Sequence, residues 1–509
     1  MPDYDVILVG SNNHNLAAAA YLGKNMKLKC LILERRKFIG AAAMTREVIP
    51  GFRMHIAATG YANYIQPDMI ADLGLDKYGV DMIKLDPWLT TLYHDGTYVS
   101  IWESYEKTYN ELKERFSPED AAGYEALWNR WKAIGEVMGQ GLSGPPLPFS
   151  ALVSGMSEGM EELMRDMLFM SLTRSMDKDF KSRYCQDMLN VWLEGSTHPP
   201  SAPGTLFGIV GHLIVNMQWT VNRGGLGEVS KALATAAEKF GAKIRTEANV
   251  KQILTKNGKA YGVKLDDGSE ITATVVLTAT EPEATVKLVG EDKFDGEYVR
   301  KAKSGWYDAC GVTLNFATNE LPDFKLPRER LKGFIGFNSE RELAEKAFYQ
   351  AHTGTIPDDP LMIGYVMSEI DPTMAPPGKY LTTVYCFPMV WDLNHGSWTT
   401  TGREEMFNKV IDSLTRYAPN FRKSLIGYGG FTPWELNQEF GMTHGDHQHG
   451  ATEWGYLLGF RPIIGAEPYK TPIANLLLCG ASCQATGISG FVGRNVANLL
   501  QEEWATLAK

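Results

Sequence analysis

Three histidines and an aspartate within one short segment are the residues best suited to move a proton. Residues 443–449 read Thr-His-Gly-Asp-His-Gln-His. Histidine and carboxyl side chains are common general acids and bases, so we predict His444, Asp446 and His447 as catalytic residues, with His444 and Asp446 as the proton-handling pair. The histidine spacing also suits a metal site. Of three interpretations of this segment, we favour a polar loop beside a substrate or cofactor, then an ordinary surface loop, and last a metal site. No metal is therefore predicted.

The beginning of the chain contains an altered dinucleotide-binding turn. Such a site needs a tight turn after a strand, an unobstructed backbone and a helix N-terminus aimed at the phosphates, hence the pattern G-x-G-x-x-G. The six positions here, residues 10–15, read Gly-Ser-Asn-Asn-His-Asn and keep only the first glycine. Asparagine tolerates left-handed backbone angles better than most residues with a side chain. Gly10, Asn12, Asn13 and Asn15 are therefore predicted to bind the cofactor, with side chains of Asn12 and Asn15 meeting the pyrophosphate.

The elements that must position this turn are also present in the sequence. Tyr4–Val9 is a continuous apolar strand, His14–Gly23 has the alanine-rich composition of a helix packed on a sheet, and Leu28–Leu33 is a second apolar strand. Glu34 closes that strand, where an acidic side chain accepts hydrogen bonds from ribose hydroxyls. The segment predicts a βαβ unit that binds a dinucleotide, and the alternative is a βαβ unit that binds nothing.

Further motifs extend from this unit to the end of the chain. They are Glu34–Thr45, similar to E-R-x-x-x-x-G-G-x-x-x-T/S with Ala41 for the second glycine, then Pro50–Arg53, Gly224–Gly227, Phe460–Pro462, Tyr469–Ile473, Leu476–Ser482 and Gly487–Gly490. In order and spacing these motifs resemble the phytoene desaturase and carotenoid isomerase-like FAD-dependent oxidoreductases. That group includes the pyridine nucleotide-disulfide oxidoreductase domain 2 branch and belongs to the glutathione-reductase-type flavoprotein class.

The resemblance implies FAD as cofactor and adds residues to its binding site. Those beside the flavin are Gly480, Ala481, Gly487, Ile488 and Ser489; Val250 and Thr280 belong to the adenine-binding meander region; and Arg35, Gly40, Ala41 and Ala42 follow Glu34. The implied activity is a desaturase-like or dehydrogenase-like hydride transfer between an apolar small molecule and flavin N5. Two alternatives stay open: an amine or cyclic-ketone oxidase-like enzyme, and a degenerate flavin fold with a non-redox isomerase, lyase or interaction role.

The predicted fold is α/β, with a Rossmann-like FAD-binding domain interleaved with a mixed α+β substrate domain. The FAD-binding parts are residues 1–95, 216–300 and 456–509, and the second of these contains a helix and a β-meander from Lys243 to Thr280. The substrate domain takes residues 96–215, which are mainly helical, and residues 301–455.

Composition limits the partners. The net charge of −10 has no long block of one sign, which argues against nucleic-acid binding. Six scattered cysteines suit a reducing compartment, and no signal peptide or apolar run of membrane-spanning length is evident, so we expect a cytoplasmic protein. The longest apolar candidate, Leu206–Val221, is interpreted as buried. Peripheral membrane contact and a homodimer stay open.

Two apolar features have competing interpretations. The aromatic and methionine side chains of the insertions suit a helical core better than an apolar substrate pocket. They are Trp128, Trp131, Met138, Met160, Met164, Met167, Met170, Trp192 and Trp219. Cys483 lies beside the predicted flavin, and we favour a small packed cysteine over a covalent thioether.

Overall fold

The computed structural model describes residues 2–58, 61–62, 67–146, 148–154, 161–206, 219–484 and 487–508. The strands, in chain order, are β1 (Tyr4–Val9), β2 (Cys30–Leu33), β3 (Thr45–Ile49), β4 (Phe52–His55), β5 (Tyr61–Ala62), β6 (Met82–Lys84), β7 (Leu89–Leu92), β8 (Tyr98–Ile101), β9 (Trp219–Asn222), β10 (Lys243–Arg245), β11 (Val250–Lys256), β12 (Lys259–Leu265), β13 (Glu270–Thr278), β14 (Val312–Thr318), β15 (Phe334–Phe337), β16 (Leu361–Val366), β17 (Tyr380–Phe387), β18 (Leu425–Gly430) and β19 (Leu476–Leu478). The helices are α1 (Asn13–Met26), α2 (Pro67–Leu73), α3 (Tyr105–Arg115), α4 (Pro118–Ser143), α5 (Phe149–Ser154), α6 (Glu161–Phe169), α7 (Leu172–Asp179), α8 (Arg183–Asp187), α9 (Gly227–Lys239), α10 (Pro282–Val289), α11 (Gly296–Ala302), α12 (Arg341–His352), α13 (Met367–Ile370), α14 (Arg403–Tyr417), α15 (Phe421–Ser424), α16 (Pro433–Phe440) and α17 (Phe491–Leu507).

The first sheet has a parallel core in the order β10-β2-β1-β13-β19. Successive side chains of β1 point to opposite faces: Val6 and Leu8 pack with α1 and α9, while Ile7 and Val9 pack with the meander. Burial on both faces explains the continuous apolar run. β11 and β12 continue antiparallel from the first part of β13. The sequence interpretation placed Lys243–Arg245 in the meander, but this strand pairs parallel with β2 and belongs to the core.

The second sheet has the order β18-β14-β17-β16-β15-β7-β8 and is antiparallel except for the pair of β15 and β7. Its strands come from residues 89–101 and 312–430, between segments that form the first sheet. This interleaving confirms the predicted fold class. β7 of the second sheet comes before the predicted domain boundary at residue 95.

Helix α1 packs so closely on its neighbours that it leaves no room for side chains at two glycines. Ala17–Ala20 are fully buried. A Cβ at Gly493 in α17 would lie 1.9 Å from the carbonyl oxygen of His14, and one at Gly23 would lie 2.5 Å from that of Phe240. The alanine-rich composition of this segment is therefore explained by close contact between helices. The contact of α17 with the backbone of His14 fixes the N-terminus of α1.

Gly493→Ala is expected to lower the free energy of unfolding by about 2–3 kcal/mol, because the added methyl group overpacks the contact with the backbone of α1. Urea unfolding of the purified protein measures this loss. Gly296→Ala is the matched control, since a Cβ at Gly296 would meet no atom within 4 Å. Equal stability of the two variants would contradict the packing argument.

The helical insertions contribute to a core beside the second sheet. Trp131 and Trp192 are buried in it, and Trp128, Met170 and Trp219 pack against it, as the core interpretation predicts. Met164 is also buried. Met160, the side chains of Met138 and Met167, and residues 207–218 of the apolar segment lie outside the described residues. Within the described ranges, no helix combines the length and the apolar character that crossing a bilayer requires.

Candidate active site

The asparagines of the altered turn use their side chains in local hydrogen bonds. Gly10 has φ +90°. Asn15 is buried, and its Nδ2 donates to the carbonyl oxygens of Val9 and Gly10, each at 2.9 Å. Its side chain thus turns back toward the end of β1. Asn12 is the N-cap of α1, and its Oδ1 accepts from the backbone N–H of Asn15 at 2.9 Å.

Glu34 lies where the sequence predicts the ribose-binding carboxylate, and it already holds four donors. Its Oε2 accepts from the N–H and Oγ of Ser11 at 3.1 and 2.6 Å, and its Oε1 accepts from the N–H and Nε of Arg36 at 3.0 and 3.1 Å. Burial alone would raise the Glu34 pKa, but Arg36 and Ser11 together keep that pKa below its ordinary value. The carboxylate therefore holds the turn and the end of β2 together.

Glu34→Gln is expected to lower the free energy of unfolding by about 2 kcal/mol at neutral pH, because an amide NH2 would face donors that now meet a carboxylate. A carboxylate with a lowered folded-state pKa contributes stability above its unfolded pKa, and this contribution disappears as pH falls through the folded pKa. Urea unfolding across pH should therefore show a difference at pH 7 that shrinks in acid. Glu47→Gln, an exposed site, is the control; a pH-independent difference would contradict the explanation.

The two ends of the chain meet at the start of α1. Asn13 Nδ2 donates to the carbonyl oxygen of Ile488 at 3.0 Å, and His14 Nε2 lies 2.8 Å from that of Gly487. Ser230 Oγ in α9 donates to Asn13 Oδ1 at 2.7 Å. Burial lowers the pKa of His14 to about 4, so its ring is neutral at physiological pH. The predicted phosphate turn, residues 10–15, is thus in contact with the residues that the resemblance places beside the flavin, which are Gly480, Ala481, Gly487, Ile488 and Ser489 and are called the flavin loop below.

The segment after Glu34 lies against the turn. The Gly40 N–H donates to the Ser11 carbonyl oxygen at 3.0 Å, and Ala41 has φ +47°, a left-handed angle that suits the glycine implied by the resemblance. The Ala42 carbonyl oxygen accepts from Ala58. Arg35 differs, because its Nη2 donates to the carbonyl oxygens at the end of α16, Gln438 and Glu439.

The other cofactor candidates lie around the same sheet edge. A cavity of about 560 Å³ opens between the end of β2 and the meander near Val250. Thr280 Oγ1 is hydrogen-bonded to the hydroxyls of neighbouring threonines. A Cβ at Gly480 would lie 2.4 Å from the carbonyl oxygen of Ala279, so only glycine fits there. The Ala481 carbonyl oxygen accepts from Arg461 Nη1 at 3.3 Å, and Ser489 Oγ accepts from the N–H that begins α17.

The three predicted catalytic residues have separate partners. His444 stacks on Trp391, and its Nδ1 lies 3.6 Å from Asp308, so the structure does not pair His444 with Asp446. His447 Nδ1 shares a 2.8 Å hydrogen bond with the buried Tyr385 hydroxyl. Across the described part of the chain, no group of three or more His, Cys, Asp or Glu side chains is arranged to hold a metal ion.

Asp446 is fully buried, and burial raises its pKa to about 7. Its Oδ1 accepts from the Gln448 N–H at 2.8 Å, while its Oδ2 has no hydrogen-bond partner among the described residues. A carboxyl poised near neutral pH with a free oxygen is suited to accept or release a proton.

Three residues in or around the histidine loop, residues 443–449, were not among the site residues predicted from the sequence. Arg461 is buried and donates to the carbonyl oxygens of Gly450, Ala451 and Ala481, which ties the end of the histidine loop to the flavin loop. His449 Nδ1 is 2.9 Å from Oε1 of the buried Glu281. The Arg-Pro motif signalled Arg461 only as part of the resemblance, and no local pattern connects Glu281 to His449.

Several polar groups near the start of α1 and the flavin loop form no hydrogen bond of ordinary length within the described part of the chain, and they fit the polar chain of FAD. Among contacts between described residues, the backbone N–H groups of Asn13 and His14 in the first turn of α1 have no acceptor, as a pyrophosphate site requires. His14 Nδ1 and Ser482 Oγ are buried and form no hydrogen bond of ordinary length to another described residue. Gly487 has φ +54°, and a Cβ there would meet no atom of the described residues within 4 Å. Cys483 is buried and its pKa rises to about 11, which suits packing.

Comparisons with known proteins agree with this geometry. Residues 16–494 match the family model of flavin-containing amine oxidoreductases. The chain is 27% identical to mouse pyridine nucleotide-disulfide oxidoreductase domain-containing protein 2, covering 98% of this chain and 93% of that protein. It is 25% identical to a component of the limonene dehydrogenase of Castellaniella defragrans, with 96% and 92% covered. The solved structure of cyclohexylamine oxidase from Brevibacterium oxydans shares the fold, with a TM-score of 0.60 at 16% identity over 99% and 100% of the two chains.

The family match covers nearly the whole chain, including the flavin loop and the start of α17. The chain therefore belongs to the flavin-containing amine oxidoreductase family and is an FAD-dependent oxidoreductase.

Proposed function

We propose that the protein oxidises an apolar small molecule by hydride transfer to FAD and that Asp446 accepts the companion proton. The observation that carries this proposal is the position of Asp446: a buried carboxyl with a free oxygen, in a loop that Arg461 ties to the flavin loop. The substrate loses a hydride from one carbon and a proton from its neighbour, and a carbon–carbon double bond forms.

Bound FAD supplies the hydride acceptor, and the chain supplies orientation and proton handling. Asp446 is a base only when ionised, and with a pKa near 7 it is ionised in part of the molecules at neutral pH. Its neighbours Arg461 and His449 favour the ionised form, while Glu281 opposes it. The hydrogen bond between His447 and Tyr385 fixes the next side chain of the loop.

An apolar substrate is supported by the aromatic side chains beside this loop and by one relative. The rings of His447 and Tyr385 lie 4.4 Å apart, and Tyr385 stacks on Phe387 at 5.7 Å. The limonene dehydrogenase relative has, by its name, a hydrocarbon substrate. Cyclohexylamine oxidase shares the fold and makes an amine substrate the alternative to test.

The proposal is tested by anaerobic reduction of the FAD-loaded protein with two panels of compounds. Isoprenoid hydrocarbons are expected to bleach the oxidised-flavin absorbance, and primary amines of similar size are not. Bleaching by the amines alone would contradict the hydrocarbon assignment and support amine oxidation. A colourless protein that FAD cannot reconstitute would contradict redox function altogether.

A further inference from the structure

We propose that His449, held by Glu281, binds the polar chain of FAD between the pyrophosphate and the flavin ring. This inference rests on FAD as the cofactor and is independent of the substrate. It assigns to His449 a direct contact with the cofactor and makes Glu281 the residue that positions it.

The first support is the fixed orientation of the His449 ring. Glu281 is 3% exposed. Its Oε1 accepts from His449 Nδ1 at 2.9 Å, and its Oε2 accepts from the N–H and Oγ1 of Thr443. Because an ionised carboxylate only accepts hydrogen bonds, Nδ1 carries the hydrogen and Nε2 is the free ring nitrogen. No described residue is a partner of Nε2, and the side chain remains 24% exposed.

The second support is the place of this pair in the fold. Glu281 follows the end of β13 by three residues, and Ala279, two residues before Glu281, lies close to both the phosphate turn and the flavin loop. A Cβ at Gly10 in the phosphate turn would lie 3.3 Å from the Cβ of Ala279, and one at Gly480 in the flavin loop would lie 2.4 Å from its carbonyl oxygen. The pair therefore begins between the turn that receives the pyrophosphate and the loop that receives the flavin.

The third support is the backbone of His449, which has φ +53°. A left-handed angle is uncommon for a residue with a Cβ, and such angles persist where the surroundings fix them, often at ligand sites. Here the next carbonyl oxygen, that of Gly450, accepts from Arg461 Nη2. A histidine needed only to satisfy Glu281 would leave this cost and the free Nε2 unexplained.

Two substitutions separate contact with FAD from a structural role. His449→Asn keeps a donor near the Nδ1 position for Glu281 but removes Nε2, and His449→Gln carries its amide toward the Nε2 position. Titration of the apoprotein with FAD, followed by flavin fluorescence, gives Kd, and thermal melting of the apoproteins reports folding. His395→Asn is the matched control on an exposed histidine.

We expect His449→Asn to raise the Kd for FAD roughly tenfold, the effect of one lost hydrogen bond, while its apoprotein melts like the wild type. The Kd of His449→Gln should stay within about threefold of the wild-type value, and the Kd of His395→Asn should equal the wild-type value. Equal Kd values for wild type and a folded His449→Asn variant would overturn the proposal. So would an unchanged Kd with reduced turnover at saturating FAD, because His449 would then act on the substrate. A wild type that binds no FAD would contradict the cofactor assignment as a whole.

Discussion

Arg461→Met is expected to lower the free energy of unfolding by at least about 4 kcal/mol and to weaken FAD binding severely. Arg461 is 3% exposed, its hydrogen bonds to Tyr456, Gly450 and Ala451 are buried, and those to Gln448 and Ala481 are part-buried. It donates from Nε to Tyr456 at 2.8 Å, from Nη1 to Gln448 and Ala481 at 3.4 and 3.3 Å, and from Nη2 to Gly450 and to Ala451, the latter at 3.0 Å. Methionine fills the volume and satisfies none of them.

The loss should reach the cofactor because Ala481 is in the flavin loop and Gly450 follows His449. Urea unfolding and FAD titration measure the two effects. Arg461→Lys should recover only a small part, because an ammonium group lacks the planar fork that serves several acceptors. Arg422→Met is the control: its ion pair with Asp412 is solvent-exposed and is worth about 1 kcal/mol or less. A stability of Arg461→Met within about 1 kcal/mol of wild type would contradict this role.

The contrast between Glu34 and Arg461 shows what could be predicted from the sequence. Gly10 and Glu34 belong to a short sequence pattern, in which an apolar strand is followed by a turn, a helix, a second apolar strand and an acidic residue. Such a pattern can be recognised from neighbouring residues alone. Ile488 and Asn13 are 475 positions apart, and only the resemblance to a known family connects them. The FAD assignment followed from both kinds of signal, and the family match confirms it.

Side-chain direction and long-range pairing are the parts that the sequence leaves open. The tolerance of asparagine for unusual backbone angles predicted that Asn15 could replace glycine, but its amide turning back to Val9 depends on the folded turn. Asp446 was chosen for its residue type, whereas its raised pKa results from burial that many distant segments provide. His444 has the same sequence context and stacks on Trp391 instead.

Asp446→Asn is expected to lower kcat about 100-fold, because the proton of the substrate loses its acceptor. The wild type should gain activity as pH rises through about 7, where Asp446 ionises, and the variant should lose this limb of the kcat profile. The measurement is anaerobic flavin reduction by substrate across pH, which reports hydride transfer without the reoxidation step. Asp392→Asn is the control, at an exposed site next to Trp391, which stacks on His444 of the loop; it should keep both the rate and the pH dependence.

Although Asp446→Asn should lower kcat, it should raise the free energy of unfolding. This combination distinguishes the loss of a proton acceptor from damage to the fold. A buried carboxyl with a folded-state pKa above its unfolded value holds its proton more tightly in the native state, so stability falls as pH rises from the unfolded toward the folded pKa. Asn cannot ionise, and Asp446→Asn should therefore be more stable than wild type by about 1–2 kcal/mol above pH 7, and by less in acid. A variant that is slow and also less stable at every pH would indicate that Asp446 supports the loop. A variant that is more stable and nearly inactive would leave proton transfer as the reason for keeping an ionisable group in this buried position.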